Sequence, residues 1–230
     1  MLVRMTRQGN CLYKRTVSVR FCHELSGFAQ LHSCCELPDN LGGWATDLIV
    51  ATELYRFVAP FPDDSKSREL VLQLLEHTPA PFSREQFQPG HITCTGLVLH
   101  PFDDSFVLVY HRRLDRWLLP GGHVEEQDGE IWDTARREVL EETGARLAPQ
   151  DSPILVGIDV HGIPPGRREP FHLHHDLIFA LQSTSAEVAP TEEVRKVVWC
   201  SPNDWERFDL PDSVRSCARR ALQIRQRQTR

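Results

Sequence analysis

The segment 131–143 constrains the fold most strongly, because it combines a helical apolar pattern with acidic residues on the same side. Its apolar residues recur at helical spacing and predict one buried face: Ile131, Trp132, Ala135 and Val139. On a helical wheel Glu142 falls inside this apolar stripe, and Glu138 and Glu141 fall at its margin. A carboxylate in such a position destabilises a fold unless it is paired or bound to a metal. The helix is therefore predicted to carry a site.

The three glutamates are spaced so that they project together from the helix, and like charges this close call for a cation. Their hard oxygen ligands favour Mg²⁺, with Mn²⁺ as the alternative. Arg137 can pair with an acid from the preceding loop, and Gly144 is placed to end the helix. A solvated acidic face is the competing interpretation. Gly121 and Gly122 favour the site, because adjacent glycines let backbone amides approach phosphate oxygens closely.

The sequences GGHVE at 121–125 and REVLEETG at 137–144 together resemble the signature of Nudix hydrolases. That signature is a glycine, an acid several residues later, and then Arg-Glu-x-x-Glu-Glu-x-Gly. One departure stands out, because Gly122 and Arg137 are separated by one residue more than the family spacing. The acid between them is either Asp128 or Glu130, and the loop is expected to bulge by one residue. The resemblance implies an α/β (α+β) fold, a Nudix-type α/β/α sandwich with a mixed sheet.

The resemblance also implies an enzyme that hydrolyses the pyrophosphate linkage of a small-molecule nucleoside diphosphate derivative. It implies the catalytic residues Arg137, Glu141 and Glu142 and the Mg²⁺ ligands Glu138, Glu141 and Glu142. Family members also place the general base on a later loop, and Glu192 and Glu193, just before a predicted strand, are the candidates here. An exposed turn is the alternative for that pair. A non-catalytic nucleotide sensor or interaction module and an isoprenoid diphosphate isomerase remain alternative functions.

Two further groups are candidates for substrate contact. The segment 111–116 is a basic turn, and arginine suits bidentate phosphate binding. In the predicted strand 171–181, His172, His174 and Asp176 share one face, which could form a second metal site, a proton donor or a wall of the substrate pocket. Histidines buried against neighbours are the commoner explanation. The predicted substrate-binding residues are Gly121, Gly122, His123, Arg112, Arg116 and His174.

Helical and strand patterns along the chain predict a helical hairpin before the main domain. The expected regions are an N-terminal extension at 1–44, a helical hairpin at 45–86 that could cover the site, and the main domain at 87–230. Proline and turn residues separate the predicted strands, which lie at 92–100, 105–111, 116–119, 154–160, 171–181 and 194–200. A last helix is expected after Pro211.

Composition excludes several classes of protein. The net charge of −6 argues against a protein dedicated to binding DNA, which needs a basic surface. No stretch is apolar enough to predict a membrane-spanning helix, and a cytoplasmic location is expected. The N-terminal extension holds four of the seven cysteines, without the ligand spacing typical of zinc, and is expected to be poorly ordered. The sequence gives no indication of oligomeric state.

Overall fold

The structure, a computed structural model, describes residues 43–62, 66–149 and 154–228. The predictions for 1–42 therefore lie outside the described residues. The helices are α1 (Gly43–Val58), α2 (Lys66–His77), α3 (Ile131–Thr143) and α4 (Asp212–Gln228), with a short 3₁₀ turn at Pro202–Asp204. The strands are β1 (Gly90–Leu99), β2 (Phe106–His111), β3 (Arg116–Leu118), β4 (Gly121–His123), β5 (Ile154–Ile163), β6 (His172–Gln182) and β7 (Val194–Cys200).

The strands form one mixed sheet in the order β3-β2-β1-β6-β5, with β4 added beside β1 and β7 beside β2. β1 runs parallel to β6, and its other pairings are antiparallel. Nine of the ten residues of β1 are buried, which fits a strand in the middle of a sheet. The parallel register sets His91 opposite His174 and Thr93 opposite Asp176. β1 and β6 therefore bring two distant stretches of sequence into contact.

Helices cover both faces of the sheet, and this confirms the predicted α/β/α sandwich. On one face α1 and α2 share an apolar core with α3, β1 and β6 that includes Leu74, Ala135 and Leu177. α3 approaches so closely that a Cβ at Gly96 would lie 2.4 Å from the side chain of Val139. On the other face α4 packs against the sheet through a second core. The hairpin and the main domain fall in one compact unit, Asp39–Arg230.

Most predicted elements form close to their expected bounds, but β4 was not predicted. Glycine has a low preference for strands, so Gly121-Gly122 indicated a loop rather than the antiparallel partner of β1. Among the described residues no helix is both long and apolar enough to cross a membrane.

Candidate active site

Helix α3 is fixed at both ends, and this sets the direction of its glutamates. At its start, the backbone N–H of Glu130 donates to Asp133 Oδ2 at 3.0 Å. At its end, Gly144 adopts a left-handed φ of 62°, and its N–H donates to the carbonyl of Leu140. The left-handed conformation favours glycine and does not continue an α-helix, so Gly144 ends α3 directly after the turn that carries Glu141 and Glu142.

Arg137 organises the acidic residues around it. Its guanidinium donates from Nε and Nη2 to the two oxygens of Asp128, both at 3.0 Å. Nη1 donates to Glu138 at 2.8 Å and to Glu141 at 3.1 Å, and Nη2 also donates to the carbonyl of His123 at 2.8 Å. The fork of one arginine thus joins α3, β4 and the loop between them. We call Arg137 with Glu138, Glu141 and Glu142 the carboxylate site.

Asp128, and not Glu130, is the loop acid that pairs with Arg137. Its side chain is only 4% exposed. It also accepts from Thr134 Oγ1 and from the backbone N–H of Glu125. Burial acts to raise the pKa of Asp128, but these bonds and that of Arg137 outweigh it, and the net pKa is lowered. The loop therefore accommodates its additional residue without losing the ion pair.

The glutamates of the carboxylate site repel one another in a poorly hydrated setting. Glu142 is 6% exposed, and burial together with the charge of Glu138 raises its pKa to about 8. Burial also raises the pKa of Glu138, even though Arg137 opposes the shift. The carboxylate charge of Glu193 also raises the pKa of both groups. A set of crowded carboxylate oxygens is the donor chemistry that fits Mg²⁺ or Mn²⁺.

The two glycines of β4 are required by close approach on opposite sides of the strand. A Cβ at Gly122 would lie 2.4 Å from Glu138 Oε1, whereas one at Gly121 would lie 2.4 Å from Thr95 Oγ1. The N–H of Gly121 donates to Glu142 Oε2 at 3.1 Å. The glycines therefore let α3 and β1 pack against β4, and their contact with phosphate remains a prediction.

The structure places the remaining predicted residues in different surroundings. Arg112 is exposed on the turn after β2, and Arg116 is exposed at the start of β3. The charge of Arg113 acts on the pKa of His123. Glu192 is exposed.

His174 and His123 lie in a group of imidazoles that pack against one another, the histidine cluster, whose members are His91, His123, His172 and His174. Its ring centroids are separated by 4.9 Å between His91 and His174 and by 5.1 Å between His123 and His174. Burial lowers the pKa of His174 to about 2 and that of His123 to about 4, so both rings are neutral near pH 7.

Sequence reasoning missed His91, although a signal existed. The sequence HITCT at 91–95 alternates, so His91 shares a face with Thr93 and Thr95. Both threonines donate to Asp176 Oδ1, at 3.0 and 2.9 Å. His172, His174 and Asp176 therefore share the face that the alternation predicted, and β1 adds His91 to it.

The family model described as NUDIX domain matches residues 90–222, more than half of the chain. The chain belongs to the Nudix family. Its catalytic class is accordingly that of a pyrophosphohydrolase. Among curated protein sequences, none matches the chain.

Several solved structures resemble the Nudix domain of this chain. A NUDIX family hydrolase from Clostridium perfringens is 18% identical over 58% of this chain and 97% of its own, with a TM-score of 0.45. An Ap4A hydrolase from C. elegans in a binary complex is 16% identical over 58% and 96%, with a TM-score of 0.42. An ADP-ribose pyrophosphatase from Streptococcus suis is 18% identical over 56% and 89%, with a TM-score of 0.40.

Proposed function

We propose that this chain is a Mg²⁺-dependent pyrophosphohydrolase, with Mn²⁺ as an alternative cofactor, that acts in the cytoplasm on a small-molecule nucleoside diphosphate derivative. The observation that carries the proposal is the pair Glu138 and Glu142, because burial raises the pKa of both carboxyls and the charge of Glu138 raises that of Glu142 further. Two buried acids beside Arg137 lower the stability of the fold unless a cation is bound. A polyphosphate substrate is also negatively charged, and a metal cation would neutralise that charge.

Each residue of the carboxylate site then has a defined task. Glu138, Glu141 and Glu142 hold the cation, whose chemistry is to neutralise the diphosphate and to acidify a water molecule. Arg137 positions Glu138 and Glu141 through its two Nη1 hydrogen bonds. Glu193 lies close enough to act on Glu138 and Glu142 and is our candidate for the base that takes the proton of the attacking water. Glu141 and Glu142 are the alternatives for that role.

The substrate would lie along β4 and the basic turn. The proposed contacts are Gly121, Gly122, His123, Arg112, Arg116 and His174. Arg112 and Arg116 are exposed and can turn toward a phosphate without disturbing the core. The half-buried His123 lies directly beside the glycines and offers a neutral ring to the nucleoside.

The test is turnover of a panel of diphosphate compounds by the full chain with Mg²⁺ or Mn²⁺. We expect nucleoside monophosphate or phosphate release from at least one compound, and a loss of about 10³-fold or more in kcat for Glu142→Gln. Glu187→Gln is the matched control, because Glu187 is 79% exposed and pairs with Arg146 away from the carboxylate site.

Either of two results would contradict the proposal and favour a different function. Nucleotide binding without turnover of any compound would favour the non-catalytic sensor, which the full set of three glutamates argues against. An isomerised diphosphate product would identify an isomerase instead.

A further inference from the structure

The histidine cluster provides three ring nitrogens that converge on one point. One ring nitrogen each of His91, His172 and His174 lies within 4.8 Å of the other two. The register of β1 and β6 produces this arrangement, because it sets His91 directly opposite His174 in a parallel pair. His172 precedes His174 by two residues and projects from the same face of β6. The convergence is therefore a property of two adjacent strands.

The hydrogen bonds of two rings fix which nitrogen carries the proton. Nδ1 of His91 lies 3.1 Å from the carbonyl of Gln86, and Nδ1 of His172 lies 2.9 Å from the carbonyl of Pro170. A carbonyl oxygen only accepts, so the hydrogen must be on Nδ1 in both rings. With the hydrogen on Nδ1, Nε2 of each ring is the nitrogen left to bind a metal, which is the arrangement found in histidine ligands of metals.

His91 in particular has an unsatisfied nitrogen. The side chain is fully buried at 0% exposure, and among the described residues its Nε2 has no hydrogen-bond partner. A buried polar atom without a partner destabilises a fold, so it points to a partner that binds there.

We propose that His91, His172 and His174 form a Zn²⁺ site distinct from the carboxylate site, in which His174 is a metal ligand instead of a direct substrate contact. Neutral imidazole is a preferred ligand of zinc, whereas Mg²⁺ prefers the oxygen ligands of the glutamates. Three histidines would leave one position of a tetrahedral ion open. The ring of His123 lies nearby, with its centroid 5.0 Å from that of His91. A tetrahedral ion needs ring nitrogens about 3.3 Å apart, so zinc binding would draw together nitrogens that now lie within 4.8 Å of one another.

The surroundings separate the two sites. Gly122 faces Glu138, so its neighbours Gly121 and His123 project to the other side of β4, where Gly121 meets Thr95. Arg84 and Glu169, whose charges act on the pKa of His91, form an ion pair at 3.7 Å. The proposed zinc ligands are ring nitrogens.

The experiment measures zinc binding to the metal-free full chain with Mg²⁺ present in excess to occupy the carboxylate site. We expect one equivalent of Zn²⁺ that His91→Gln and His172→Gln each weaken by more than the roughly 10–100-fold that removal of an outer-shell partner costs. His77→Gln and Glu142→Gln are the matched controls and should bind this equivalent like the wild type. His77 is an exposed histidine, with 64% of its side chain accessible.

The ligand type is read by X-ray absorption at the zinc edge, because the chain also carries cysteines. We expect nitrogen ligands at about 2.0–2.1 Å, whereas cysteine ligands would give sulfur at about 2.3 Å. If a histidine variant fails to fold, the wild-type spectrum alone decides. Unchanged zinc affinity in both folded histidine variants, a sulfur-dominated spectrum, or no bound equivalent overturns the proposal.

Discussion

On one side of β4 the glutamates of α3 surround an arginine, whereas on the other side four histidines pack ring against ring. Both groups are poorly hydrated, yet burial has opposite consequences for their charge. It raises the pKa of Glu142 to about 8 and lowers that of His174 to about 2. Glu142 therefore needs a nearby cation to be ionised at neutral pH, whereas the neutral ring of His174 can bind a softer metal ion.

The largest expected effect is a loss of stability when Arg137 of the carboxylate site is replaced. We expect Arg137→Met to lower the free energy of unfolding by about 3–5 kcal/mol, because it leaves the buried Asp128 without its partner. Urea denaturation of the metal-free chain measures the change. Asp128→Asn should also be destabilising, whereas Glu130→Gln should change stability by less than about 1 kcal/mol. Equal costs at positions 128 and 130 would contradict the pairing seen here, and a parallel loss of zinc binding in Arg137→Met would show that the sites are not separate.

A smaller effect, on the catalytic rate, is expected when Glu193 in the loop before β7 is replaced. We expect Glu193→Gln to lower kcat about 100-fold, equivalent to about 2.7 kcal/mol, because Glu193 is our candidate base and its charge acts on Glu138 and Glu142. The exposed neighbour Glu192 provides the control, and Glu192→Gln should remain within about twofold of the wild type. Steady-state kinetics at saturating Mg²⁺ compare the two. Equal activity of both variants would return the role of base to Glu141 or Glu142.

The glycines of β4 allow each side of the strand to be perturbed alone. Gly121→Ala should destabilise the chain by about 1–3 kcal/mol, because its Cβ would meet Thr95 and the backbone carbonyl of Cys94 at 2.7 Å. Gly122→Ala should cost less stability, since Glu138 can move its carboxylate away, but the displaced ligand should lower kcat more than stability suggests. Thermal unfolding and kinetics of both variants provide the comparison. The reverse order of stabilities would contradict it.

The smallest effect is a pH dependence of stability, which has opposite signs for the carboxylate site and the histidine cluster. Glu142 has a higher pKa in the folded chain, about 8, than its ordinary value of 4.5, so its contribution to stability falls as pH rises from about 4.5 to 8. His174 has a lower pKa in the folded chain, about 2, than its ordinary 6.5, so its contribution falls as pH decreases below about 6.5. We expect shifts of several degrees in the unfolding temperature of the metal-free chain.

Two variants separate these contributions. Glu142→Gln should remove the loss of stability at high pH, and His174→Gln should remove the loss at low pH. Mg²⁺ should stabilise the wild type more at pH 8 than at pH 6, since it binds the ionised carboxylates. Parallel unfolding profiles for the wild type and both variants would contradict the assignment.

The carboxylate site could be predicted from sequence because it is local. Glu138, Glu141 and Glu142 lie on one helix, where spacing alone determines which side chains meet. The choice between Asp128 and Glu130 could not be made, because it depends on the path of an irregular loop. Glu130 instead precedes α3 and donates its backbone N–H to Asp133.

The histidine cluster could be predicted only in part because it is not local. The alternation of β6 placed His172 and His174 on one face, but nothing in the sequence states that β1 pairs with β6 in parallel. Without that register, His91 is an ordinary histidine at the start of a strand. Likewise, the strand β4 forms through its pairing with β1 despite two glycines, so its tertiary context outweighs its local preference.

His123 belongs to both sides of β4 at once. Its carbonyl accepts from Arg137 at 2.8 Å, while its ring lies among the imidazoles. A displacement of this one residue would change the acceptor of the arginine and the border of the proposed zinc position together. A coupling free energy between the two ions must be reciprocal. Zinc would then alter the affinity for magnesium by the same factor by which magnesium alters the affinity for zinc.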